Sequence, residues 1–115
     1  MELKPRYEEG KAMLHLAGRF DAYQAPAVAE WLDDTMKAGT HNIIIDLSGV
    51  NFIDSTGLAT LVQAMKHARQ HGGDLVLCRL QQPVRIIFEL TRLDKAFRIF
   101  ETEEEALAYF QPVAE

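Results

Sequence analysis

Cysteine is almost missing from this chain. Cys78 is the only one in 115 residues, which excludes an intrachain disulfide and suits a reducing cytosol. Long apolar runs are missing too, and nothing approaches the ~20 residues that a membrane-spanning helix needs. The opening MELKPRYEEG is charged and lacks an apolar stretch, so no secretion signal is expected. Basic residues are in the minority, 12 Lys and Arg against 17 Asp and Glu, for a net charge of −5. That balance argues against a nucleic-acid partner, which calls for a basic face. There is no repeat, low-complexity tract or glycine-rich phosphate loop. The expectation is one cytoplasmic domain over residues 1–115, large enough to fold without a disulfide or metal.

What is present is alternation of strand and helix patterns. Residues 11–17, KAMLHLA, alternate polar with apolar as a strand with one wet face does, and Gly18 is expected to end it. Val28, Leu32 and Met36 recur at helical spacing across Ala25 to Ala38, with Trp31 at the margin of the stripe and Gly39 as a stop. Asn42 to Leu47 holds three consecutive isoleucines, the mark of a central strand covered on both faces. From Leu58, the positions Leu61, Val62, Met65 and Ala68 form one helical stripe that ends at Gly72-Gly73. Leu75 to Cys78 repeats the buried-strand signal, and Pro83 opens a helix carrying Val84, Ile87 and Phe88. Phe97 to Phe100 is expected as a short last strand. Thr102 and Glu105 then form a capping box for a helix reaching Phe110. The fold class is α/β, with a small, mixed, largely parallel sheet and helices packed against it.

The stretch NFIDSTGL, Asn51 to Leu58, stands where a strand gives way to a helix. Asp, Ser and Thr are all preferred helix caps, and a cap is a sufficient reason for any one of them. Here Asp54, Ser55 and Thr56 occur in a row, followed by Gly57, which costs a helix up to about 1 kcal/mol relative to alanine. A residue without a side chain makes sense if something must approach the backbone closely. A phosphate on Ser55 would meet free N–H groups and the positive end of the helix dipole. Asp21 is the second candidate. Either it caps the next helix in a box with Gln24, or that helix starts near Gln24 or Ala25, with Pro26 in its first turn. In the second case Asp21 lies in the loop after its strand, where it could share one surface with Asp54.

Catalytic readings find little support. No GxSxG elbow surrounds Ser48 or Ser55. His67 and His71 are a helical turn apart, but without the intervening glutamate of HExxH or an obvious third ligand, so they read as a solvated face. His15 and His41 have no identifiable partners, and Cys78 reads as a small core hydrophobe. A receiver-like phosphoacceptor domain could use Asp46, but the acidic pair it needs after the first strand is replaced by Ala17-Gly18.

Asp54-Ser55-Thr56-Gly57-Leu58 after Ile43-Ile44-Ile45-Asp46-Leu47 resembles the signature of bacterial anti-sigma factor antagonists, the STAS-domain proteins. Gly18-Arg19-Phe20-Asp21 matches the segment before that family's first helix, and Gly72-Gly73-Asp74-Leu75 and Leu93-Asp94-Lys95-Ala96-Phe97 fit its later landmarks. The likeness spans a core from about residue 11 to 110. It implies a partner-switching regulator, not an enzyme. The unphosphorylated form would bind an anti-sigma factor that is also a serine kinase, releasing a sigma factor. Phosphorylation at the serine matching Ser55, or alternatively at Thr56, would end binding, and a serine phosphatase would reverse it. Asp21, Asp54, Ser55, Thr56, Gly57 and Leu58 are the partner-binding residues implied. The chain itself needs no cofactor or metal, since ATP and magnesium belong to the kinase. Thr56 and Ala59 depart from the serine and glycine common at those positions, and Pro26 is unexpected in the first helix. A non-switching STAS scaffold or complex subunit is the competing function; a catalyst using Ser55 would require a pocket and a convergent base.

Overall fold

The three consecutive isoleucines show how the sheet is covered. In a strand successive side chains point to opposite faces; Ile43 and Ile45 join one buried cluster, Ile44 another, and all three are fully buried. The computed structural model describes residues 1–111. Its sheet has five strands in sequential order: β1 (Glu2–Glu8), β2 (Lys11–Phe20), β3 (Asn42–Ile53), β4 (Asp74–Cys78) and β5 (Ile99–Phe100). β1 runs antiparallel to β2, and the remaining neighbours are parallel. The helices are α1 (Ala25–Lys37), α2 (Ser55–Gln70), α3 (Gln82–Leu90) and α4 (Glu103–Tyr109), with a 3-10 turn at Leu93–Lys95.

α1, α2 and α3 lay their apolar stripes (Val28 and Leu32, Leu61 and Met65, Val84 and Phe88) on one face of the sheet. α4 covers part of the other, where Ala106 packs on Met13, Ile44, Val76 and Cys78. Each fully buried side chain of this size contributes about 1.5–3 kcal/mol. Among the described residues, no helix is long and apolar enough to cross a membrane.

Several local expectations differ from the structure. β1 was not legible as a strand because its side chains are mostly exposed and charged and it carries Pro5, which is tolerated on a sheet edge. It joins β2 through Glu9 and Gly10, both at positive φ, as a tight hairpin turn of the primed type demands. β2 is consequently an interior strand, and Lys11 to Leu14 are all buried rather than wet on one side. Gly18 does not end β2; it sits at a register shift, and the strand continues to Phe20. β3 likewise runs six residues beyond Leu47, past Ser48-Gly49. Gly49 is pressed against β2 so closely that a Cβ there would meet the Leu16 carbonyl oxygen at 2.8 Å. The last strand is only Ile99–Phe100, because Phe97 turns into the core and stacks on Phe88, ring centroids 5.6 Å apart. The Thr102–Glu105 capping box is formed as expected, with both reciprocal hydrogen bonds.

Candidate functional site

Parallel pairing places the ends of β2 and β3 side by side, Phe20 opposite Ile53. The loop after β2 therefore lies against the start of α2, at the carboxyl edge of the sheet where α/β proteins build their sites. Asp54 joins the two. Its Oδ1 accepts the Gly57 N–H at 3.0 Å, capping α2, and its Oδ2 accepts the Ala22 N–H at 3.0 Å. Its own N–H donates to the Phe20 carbonyl at 3.2 Å. The cap is thus Asp54. Ser55, the first residue of α2, has no capping task and is exposed, as is Thr56.

Asp21 occupies the loop side of this junction. α1 begins at Ala25 with Pro26 in its first turn, and Gln24 at the cap position makes no side-chain capping bond. Asp21 closes the loop instead, its Oδ1 accepting the N–H groups of Tyr23 and Gln24, both at 3.1 Å. Asp21 and Asp54 are thereby brought to one edge, both holding the loop between β2 and α1.

Gly57 and Leu58 face inward, and Leu58 is 9% exposed. The close approach that glycine permits is made by the chain itself. A Cβ at Gly57 would stand 2.7 Å from the Phe20 carbonyl oxygen and 2.9 Å from Ile53 Cγ1.

Three exposed groups beside the junction were not singled out in the sequence. The Arg19 guanidinium lies over the Phe52 ring, 3.9 Å from its centroid, with Nε 3.9 Å from Asp21 Oδ2. Tyr23 is 90% exposed. Arg19 and Phe52 become neighbours only through the β2–β3 register, which no local pattern reveals.

Asp46 serves a different purpose from the receiver-like role considered above. It is 3% exposed and engaged on every side: the Ser48 N–H donates to Oδ1 at 2.9 Å, His15 Nδ1 stands 3.3 Å from Oδ2, and Arg79 Nη2 lies 3.3 Å from Oδ2. Burial alone would raise its pKa, but the Ser48 hydrogen bonds, His15 and Arg79 together outweigh it and hold the carboxyl below the usual range. Arg79 also donates to the Ser48 hydroxyl at 2.8 Å, so the group fastens β3 to the exit of β4. Cys78 is fully buried, and burial is the main reason its thiol is pushed up to about 12. Among the described residues, no group of three His, Cys, Asp or Glu side chains is arranged around a common metal position.

The geometry has close parallels among known proteins. The STAS domain family profile matches residues 4–106. The anti-sigma-B factor antagonist of Listeria monocytogenes is 38% identical over 92 residues, covering 80% of this chain and 81% of that protein. The solved structure of a putative anti-sigma factor antagonist from Thermotoga maritima superposes with a TM-score of 0.89 at 25% identity, covering 93% of this chain and 92% of that one. The fold is also that of the anti-sigma factor antagonist SpoIIAA in its unphosphorylated form, with a TM-score of 0.85 at 19% identity over 99% of this chain and 100% of that one. An α/β sheet of this order, a carboxylate-capped helix opening with Ser-Thr-Gly, and these parallels have one reading: the chain belongs to the STAS-domain family of anti-sigma factor antagonists.

Proposed function

We propose that this chain is a cytoplasmic anti-sigma factor antagonist switched by phosphorylation of Ser55. The unphosphorylated form binds an anti-sigma factor that is also a serine kinase, and a sigma factor is released. The kinase transfers a phosphoryl group from ATP to Ser55, the complex separates, and a serine phosphatase restores the binding form. This chain is the substrate and supplies no catalysis. The observation that carries the reading is the division of labour at the start of α2: Asp54 makes the cap, while the Ser55 hydroxyl stands exposed beside it. The names of the relatives supply the class of partner. SpoIIAA is also known in a phosphorylated form, which supports a phosphoryl group on a protein of this fold.

The magnitudes are adequate for a switch without refolding. A phosphoryl group adds about −1.5 to −2 charges. A unit charge 5 Å from a carboxylate, at an effective dielectric of about 20, is opposed by about 3 kcal/mol. That is about a hundredfold in affinity. The helix N-terminus returns about 0.5–2 kcal/mol, so the modified domain stays folded. Tyr23 and Arg19, exposed on the loop side of the same junction, are of the residue types that dominate binding energy at interfaces.

Immobilised protein tests this directly. Wild type and Ser55→Ala should retain a serine kinase of the anti-sigma type, identified by mass spectrometry, and Ser55→Asp should not. Equal retention by all three removes the switch and leaves a scaffold.

A further inference from the structure

Ser55 opens α2 and Arg69 lies in its last turn, about 20 Å away along the helix at 1.5 Å per residue. At that far end is a cleft of about 690 Å³. Its walls come from four places: Arg69, Asp74 at the start of β4, residues 94–98 leading into β5, and Tyr109 at the end of α4. The volume is in the ordinary range for small-molecule sites. The proposed switch makes no use of it.

We propose that this cleft binds a phosphate monoester, its phosphate held by Arg69, Lys95 and Arg98 and its carbon body lying against Tyr109. Charge is the first argument. The chain is acidic, with a net charge of −5, yet the cleft gathers three cations against two carboxylates. One carboxylate, Asp74, is already satisfied: Arg69 Nε donates to its Oδ1 at 2.8 Å and the Tyr109 hydroxyl to its Oδ2 at 2.9 Å. The other, Asp94, keeps Oδ1 sealed from solvent. Lys95 and Arg98 are exposed and enter no ion pair among the described residues. Two uncompensated cations in one cleft match a dianion, and a phosphate monoester carries about −1.5 to −2 charges at neutral pH.

The second argument is preorganisation. Besides its bond to Asp74, Arg69 donates through Nη2 to the Ala96 carbonyl at 2.9 Å, so its guanidinium is fastened to two elements. Those bonds use two of its five N–H groups and leave three. A planar fork fixed before the ligand arrives loses little freedom on binding, and its paired N–H groups match phosphate oxygens.

The third argument is the aromatic wall. Tyr109 is 40% exposed and packs beside Phe100, ring centroids 5.7 Å apart, and both rings line the cleft. The Arg98 guanidinium lies 5.3 Å from the Tyr109 centroid. A cation for the phosphate is thus adjacent to an apolar surface for the group that the phosphate is attached to. That pairing favours an ester with a flat ring over free inorganic phosphate.

The test is a calorimetric titration of the purified chain at low salt with phenyl phosphate, inorganic phosphate, phenyl sulfate and phenol. One saturable equivalent of phenyl phosphate is expected, weakening as salt is added. Inorganic phosphate, which lacks the ring, and phenyl sulfate, a monoanion of similar shape, should both bind more weakly, and phenol not at all. Lys95→Gln and Arg98→Gln should each weaken phenyl phosphate about tenfold or more. Lys37→Gln, which removes an exposed cation on α1, should change nothing. Circular dichroism checks that the variants fold. Backbone amide NMR of the wild type needs no variant; phenyl phosphate should shift the signals of residues 94–100 and spare those of residues 54–58. No saturable binding, equal affinity for phenyl sulfate or inorganic phosphate, unaltered binding by the Lys95→Gln and Arg98→Gln double variant, or shifts centred on Ser55 would each overturn the proposal.

Discussion

The Asp54 carboxylate accepts the Ala22 N–H at 3.0 Å, so the residue that caps α2 also holds the loop after β2. The exposed hydroxyls of Ser55 and Thr56 therefore ride on a junction fixed from two sides.

Removing the Asp54 carboxylate should loosen both attachments. Asp54→Ala is expected to cost about 1–3 kcal/mol in urea denaturation, more than an ordinary cap, because two backbone N–H groups lose their acceptor. Asp54→Asn has one acceptor oxygen and should recover only part of that loss. An unchanged unfolding midpoint in both variants would contradict the bridging role.

Gly57→Ala sets two effects against each other. Alanine improves helix propensity by about 1 kcal/mol. Its Cβ, however, would fall 2.7 Å from the Phe20 carbonyl oxygen, a backbone atom that has little freedom to move. Overpacking of this kind costs about 1–3 kcal/mol, so the variant should be less stable than wild type. The denaturation midpoint decides the sign.

Asp46 makes stability sensitive to acid. Its folded pKa lies below the ordinary value of 3.8. A carboxyl lowered by folding contributes stability that is fully present above its unfolded pKa and is lost as pH falls through the folded one. Wild type should therefore weaken from about pH 4 downward. Asp46→Asn should be less stable at pH 7, where Arg79 and His15 lose their carboxylate, and should show a flatter stability curve below pH 4. Parallel curves for the two proteins would show that Asp46 titrates alike folded and unfolded.

Cys78 should be inert in the native protein, since burial both shields the thiol and pushes its pKa up to about 12. Labelling by a thiol reagent at pH 8 should follow unfolding, accelerating with urea. Fast stoichiometric labelling without denaturant would show that the strand below α4 is open.

Legibility in the sequence follows the range of the interactions. Local patterns gave the helices, the Thr102–Glu105 box and the central isoleucine strand, because caps and periodicity act within a few residues. Gly18 and Ser48-Gly49 were misleading: they resemble strand ends, yet cross-strand pairing carries the backbone through them with altered register. β1 carries no strand pattern, because an exposed edge strand needs no apolar stripe. At the site, the order Asp54-Ser55-Thr56-Gly57 was readable, but not which residue caps, nor that Phe20 is what approaches Gly57. The Arg19–Phe52 stack and the Asp46 network both join segments remote in sequence. Only the topology brings them together.

The central claim is that Ser55 is a phosphoacceptor. The direct measurement is to incubate the purified protein with ATP, magnesium and a soluble extract of the cells it comes from, and to map any phosphoryl group by mass spectrometry, with Ser55→Ala alongside. The account predicts a single phosphoryl group on Ser55 that is absent from the variant. Modification at Thr56 would keep a switch and move its acceptor. An unmodified protein, whose partner is captured equally by wild type and Ser55→Ala, would contradict the account and leave Ser55 as a surface residue beside a cap.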